Sequence, residues 1–161
     1  MKFTYTLLAA LLFAAFSPAF AMQNDKTNTD FVVADNIIEA INEIDIISLN
    51  VLLAEGADVD TLDKEGNTPL MLAAKIGNPR MIDIILAHNP EIDRRNNDGN
   101  TALMIASANG VLSIVEDLKN SGADGNLRNK DGLTPAQIAL RNGHADISSY
   151  LNDAVDTVIS R

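Results

Sequence analysis

The chain has 161 residues, no cysteine, and 22 acidic against 12 basic residues, a net charge of −10 at pH 7. Without cysteine no disulfide can staple it, so its stability has to come from packing, for which one domain of this length suffices. The acidic total speaks against nucleic acid and anionic membrane as default partners.

Residues 1–21 have the layout of a secretory signal peptide: Lys2 gives a positive start, Leu7 to Phe16 form an apolar run, and Pro18 precedes a small-residue cleavage site at Ala19-Phe20-Ala21. The run is too short to span a bilayer comfortably, and the alternative is an uncleaved membrane anchor over Phe3 to Ala21, nearly long enough if Thr4, Tyr5 and Thr6 are tolerated. Cleavage after Ala21 is expected, giving a periplasmic or secreted product that has no membrane association. Residues 22–33 open that product as a flexible leader, polar at its start, and the folded domain is expected over 34–161.

A period then sets in. "GNTPLMLAAKIGN" starts at Gly66, "GNTALMIASANGV" at Gly99 and "GLTPAQIALRNGH" at Gly132, thirty-three residues apart each time. Asp63, Asn96 and Asn129 with the three glycines are turn residues, and they predict hairpin-like loops. Thr68, Thr101 and Thr134 stand where a helix N-cap belongs, with Pro69 and Pro135 at the first helical position. Gly77, Gly110 and Gly143 should end these helices in a left-handed conformation. A second helix follows each time, signalled by Asn78-Pro79 and carrying Ile82, Ile85 and Leu86 on one side. Ala73, Ala74, Ala106 and Ala139 allow close approach between first helices. Such a unit cannot bury its apolar side alone, so the units must stack.

The period, the Thr-Pro-Leu and Ala-Ala pairs, the helix-ending Gly and the Gly-Ala-Asp turns at 56–58 and 122–124 together resemble the ankyrin repeat, over about residues 36–152. The resemblance implies an all-α solenoid of about four helix-turn-helix units with hairpin-like loops, near 34–62, 63–95, 96–128 and 129–161. "IIEAINEIDIISLNVLLAEGADVD" fits as an N-terminal capping unit, although it lacks the Thr-Pro pair and has Ile44 where a Gly should end its first helix. Met71, Met104 and Gln137 replace the family's usual His, so the bonds of that side chain to the loop are expected to be missing. Lys119 stands where Leu86 does one unit earlier and Gly125 replaces a branched turn residue, which predicts a looser back to the third unit. Ser148 and Asn152 make the last outer helix a polar cap, extending toward Arg161.

Catalytic chemistry is thin. His144 follows Gly143 where ankyrin repeats commonly have His, and His88 ends an outer helix; neither has a second ligand nearby in sequence. Asp58, Asp60, Asp63 and Glu65 have a calcium-loop flavour, but the glycine and final glutamate of that motif are out of place and turn chemistry explains the same residues. No phosphate loop, nucleophile elbow or metal pair occurs. The reading is a non-enzyme with no cofactor and no metal.

In ankyrin repeats the loop tips and the exposed side of the first helix form a concave binding face. The resemblance therefore implies a partner-binding surface of Leu62, Lys64, Glu65, Asn67, Lys75 and Ile76, then Arg95, Asn97, Asp98, Asn100, Ala108 and Asn109, then Arg128, Lys130, Asp131, Leu133, Arg141 and Asn142. Six basic and three acidic residues give this set a local charge of +3, and Arg95 and Arg128 are the expected anchors for a partner's carboxylates. The implied function is an exported protein-protein interaction module, monomeric when free, that inhibits or protects against a periplasmic or cell-wall enzyme. The alternatives are a structural or assembly partner of an exported enzyme, or an effector delivered to another cell.

Overall fold

The structure is a computed structural model that describes residues 37–159, with side chains through Asn152. The signal-peptide and leader readings of residues 1–33 lie outside the described residues. Eight helices and no strand occur among the described residues. They are α1 (37–42), α2 (Ile46–Ala54), α3 (Pro69–Ile76), α4 (Pro79–Leu86), α5 (Ala102–Asn109), α6 (Leu112–Asn120), α7 (Pro135–Arg141) and α8 (Ala145–Ile159).

Each pair forms one unit, and the start signals work as the residue types require. The Thr68, Thr101 and Thr134 hydroxyls accept from the backbone N–H three residues on, at 3.3, 3.4 and 3.4 Å. Asn78 caps α4 by accepting from the N–H groups of Arg80 and Met81. Gly77 and Gly110 end α3 and α5 with φ of 77° each. The last unit differs by one residue, because Asn142 caps α7 and Gly143 follows at φ 89°.

Stacking places the inner helices α3, α5 and α7 in one layer and the outer helices α2, α4, α6 and α8 in another. Ala73, Ala74, Ala106 and Ala139 are buried between inner helices, where a larger side chain would hold the backbones apart. Met81, Ile82 and Ile85 on α4, Ile114, Val115 and Leu118 on α6, and Ile147 on α8 are fully buried between layers. Each such aliphatic side chain stabilises the stack by roughly 1.5–3 kcal/mol relative to exposure.

Three expectations change or sharpen. Ile44 takes the left-handed conformation itself, at φ 57°, in the slot that Gly77, Gly110 and Gly143 fill elsewhere. Gln137 does bond its loop, since its Oε1 accepts from the Thr134 N–H at 3.0 Å and from Arg128 Nη1 at 3.4 Å; a glutamine three residues past a threonine cap closes a reciprocal capping box. The back of the third unit is tied rather than loose. Leu118 and Ala123 are buried, and Lys119 donates its ammonium to the Ala123 carbonyl at 2.8 Å, which satisfies a carbonyl just past the helix end.

Candidate functional site

The loops between units are cross-bonded before they are anything else. Within each loop the backbone closes on itself, Asp63 N–H to Asn67 O at 3.0 Å, Asn96 to Asn100 at 3.0 Å and Asn129 to Leu133 at 3.1 Å. The first residue's side chain accepts from the N–H four residues later in all three, at 2.7, 2.9 and 3.0 Å. Neighbouring loops are then joined, with Asn97 N–H donating to Glu65 O at 3.0 Å and Lys130 N–H to Asp98 O at 3.1 Å. An asparagine ladder runs alongside: Asn96 Nδ2 donates to Asn67 Oδ1 at 2.8 Å, and Asn129 Nδ2 to Asn100 Oδ1 at 2.9 Å. On the helix side, Asn109 Nδ2 donates to the Ala74 and Lys75 carbonyls at 3.0 and 2.8 Å, tying the end of α5 to that of α3.

Between loops and inner helices lies a groove of about 570 Å³, too large for a packing defect and lined by all three loop-bearing units. Its apolar lining is Met104, Ile105, Ala108, Leu133 and Ile138. Glu65, Asp98 and Asp131, equivalent residues of successive loops, line one part, and Lys75 and Arg141, equivalent residues near the ends of α3 and α7, line another. None of these five charged groups is in an ion pair among the described residues, where the single pair is Arg94–Glu91 at 3.2 Å.

The groove brings together Glu65, Asn67, Lys75, Asp98, Asn100, Ala108, Asn109, Asp131, Leu133, Arg141 and Asn142 of the sequence-predicted face. It leaves out Leu62, Lys64, Ile76, Arg95, Asn97, Arg128 and Lys130, which are exposed elsewhere. The expected basic surplus therefore does not carry over, because the groove has three carboxylates against two cations. Arg128 is also engaged locally, its Nη1 donating to Gly132 O at 2.7 Å. Asn67 is only 6% exposed and serves the ladder, so its amide is already taken. Sequence reasoning missed Met104, Ile105 and Ile138. Counting back three residues from Ala108 and Arg141, one helical turn, would have found the two isoleucines.

The acids with the calcium-loop flavour are accounted for by hydrogen bonding. Asp58 accepts from the Asp60 N–H, Asp63 from those of Glu65 and Asn67, and Asp60 from that of Glu91 in the next outer turn. Among the described residues no group of three or more His, Cys, Asp or Glu side chains is placed to hold a metal ion. His144 lies against Gly110 of the preceding unit, where its ring occupies the space a Cβ would need. One carboxyl is perturbed: Asp45 caps α2, and bonds from the Ser48 hydroxyl at 2.6 Å and from backbone N–H groups hold it below the ordinary carboxylate range.

Fold and groove define a stacked helix-turn-helix solenoid whose cross-bonded loops overhang its inner helices. The chain belongs to the ankyrin repeat family: a family model described as ankyrin repeats (3 copies) matches residues 37–129, and one described as ankyrin repeats (many copies) matches residues 111–151. No curated protein matches the chain. Ankyrin repeats typically bind other proteins and are typically non-enzymatic. No helix among the described residues is long and apolar enough to cross a membrane.

Proposed function

We propose that this chain is an exported, non-enzymatic binding module that holds a segment of an enzyme outside the cytoplasm in its inner groove and thereby inhibits or protects against that enzyme. The observation that carries the binding reading is the division of labour in the loops. The asparagines join one unit to the next, so the groove is rigid, while Asp98, Asp131, Lys75 and Arg141 line it without an ion pair among the described residues. A preorganised groove loses little freedom on binding. Its partner segment is therefore expected to set cations against the loop carboxylates and a carboxylate near Lys75 or Arg141, over an apolar centre at Ile105 and Ala108. The signal-peptide layout of residues 1–21 supports export.

The test places a photo-crosslinker at Ala108 in the groove or at Asp83 on the outer surface, exposes each protein to periplasmic extract, identifies adducts by mass spectrometry, and titrates the captured enzyme with purified protein. Adducts from Ala108 that Asp98→Lys/Asp131→Lys abolishes, together with falling enzyme activity, are the expected result. Adducts from Asp83 alone would overturn the groove assignment, and unchanged activity would overturn the inhibitory role. Mass measurement on the exported protein should find Met22 at its N-terminus; a full-length chain would remove the export reading.

A further inference from the structure

Helix α2 carries apolar residues on its outer side, next to Asn50, as well as on the side that faces the stack. Leu49 and Leu53 are buried, yet Ile47 is 77% exposed, Val51 one turn later 47%, and Ile44, just ahead of the helix, 52%. The repeat supplies its own comparison. At the position of Ile47 the later units have Arg80, Ser113 and Asp146, and at that of Ile44 they have Gly77, Gly110 and Gly143. A β-branched residue at φ 57° is strained, so Ile44 is kept against the interest of the isolated fold, and Ile47 adds an exposed apolar side chain where the later units have polar ones. An unpartnered apolar helix face of this kind marks a docking surface.

Charge selects the occupant. Residues 37–63 contain seven acidic and no basic residues. Glu43 adjoins Ile44 in the turn ahead of α2 and Glu55 caps the end of α2, both exposed and neither in an ion pair among the described residues. A second copy would bring the same acids. Residues 22–36 of this chain carry Asp25, Asp30 and Asp35 against Lys26 alone. An anionic membrane would be repelled. We propose that Ile44, Ile47 and Val51 form a docking surface, separate from the groove, for a cationic amphipathic helix of a partner protein. The partner's apolar residues, at three- and four-residue spacing, cover this face, and its Lys or Arg residues meet Glu43 and Glu55.

The test uses the full mature protein and a fluorescent helical peptide of about 18 residues, with Leu along one stripe and Lys on both flanks, and a twin with Glu for Lys. Anisotropy should show the Lys peptide binding at least about tenfold more tightly than its twin. Ile47→Ser/Val51→Ser and Glu43→Gln/Glu55→Gln should each weaken it about tenfold, and the remote pair Asp117→Asn/Asp146→Asn less than about twofold. Ile44→Gly should weaken binding while raising the unfolding midpoint, opposite signs that a merely structural role would not give. Equal loss in the remote pair, or equal binding of the twin, would overturn the proposal. So would a free dimer that Ile47→Ser dissociates, or a tenfold gain on deleting residues 22–36, since each would name a different occupant.

Discussion

Gly66, Gly99 and Gly132 offer one conformation in three surroundings, with φ of 76°, 77° and 76°. A Cβ on Gly132, in the last loop, would meet nothing within 4 Å; on Gly66 it would sit 2.8 Å from Asn97 Oδ1 and 3.2 Å from Asn97 N; on Gly99 it would sit 3.1 Å from Lys130 N. Gly132→Ala therefore carries the left-handed strain alone, about 1 kcal/mol. Gly99→Ala adds overpacking against a backbone N–H that already donates to Asp98 O, for a total of about 2–4 kcal/mol. Gly66→Ala should cost about as much as Gly99→Ala, because moving the Asn97 side chain aside, at the loss of its 3.3 Å bond to Lys64 O, still leaves the 3.2 Å contact with Asn97 N. Urea unfolding followed by circular dichroism, with the slope unchanged among variants, reads these costs directly. Three equal costs would refute the reasoning, for they would mean that backbone strain decides everything and that the loops do not press on one another. The same series bears on function, since Gly66 and Gly99 set the spacing of the loops that present Glu65, Asp98 and Asp131.

Other outcomes follow from the same contacts. Gly110→Ala should be costly in the wild type and much less so in a His144→Ala background, giving a coupling of about 1–2 kcal/mol in a double-mutant cycle; additive costs would mean that the ring moves aside freely. Asn67→Ala should destabilise by about 1–2 kcal/mol through the loss of its bonds to Asp63 and Asn96, and thermal unfolding with no loss would discount the ladder. Asp45 has its carboxyl lowered in the folded state, so its contribution is present above the ordinary carboxylate range and is lost as pH falls through the folded value. The gap between wild type and Asp45→Asn should accordingly be full at pH 7 and narrow as pH falls below the ordinary carboxylate range, and a constant gap would remove the cap's charge from the explanation.

The helices were legible because their boundaries are local chemistry. Thr68, Thr101 and Thr134 cap, Pro69 and Pro135 lead, and Gly77 and Gly110 stop, and each does so within a few residues of itself. The period also showed which residues are equivalent. It could not show which way an equivalent residue turns. Lys64 and Glu65 are neighbours at one loop tip, yet Glu65 lines the groove and Lys64 does not, because the twist of the loop follows from bonds to the next loop. Asn67 read as a contact residue for a similar reason: its partner, Asn96, is twenty-nine residues away. Gln137 was misjudged by what it replaces rather than by what a glutamine three residues past a threonine can reach.

Repetition assigns roles by position within the loop, and this explains how one scaffold can be rigid and specific at once. The first and fifth residues of the Asp63–Asn67 and Asn96–Asn100 loops close each loop, and Asn67, Asn96 and Asn100 also carry the ladder, so a change at one of these three disturbs two loops together. The third residue, Glu65, Asp98 or Asp131, gives its carbonyl to the next loop where there is one, but its carboxylate does not hold the units together. Chemistry at that position can change while the backbone bond that fixes it stays. On the opposite side Asp60 and Asp93 accept from the N–H groups of Glu91 and Asp124, so the outer turns of the first three units are joined as well. Recognition is therefore confined to side chains released from these bonds. In the groove they are of mixed charge, whereas on α2 they are apolar and ringed by acids, and two faces so different in chemistry are suited to different partners.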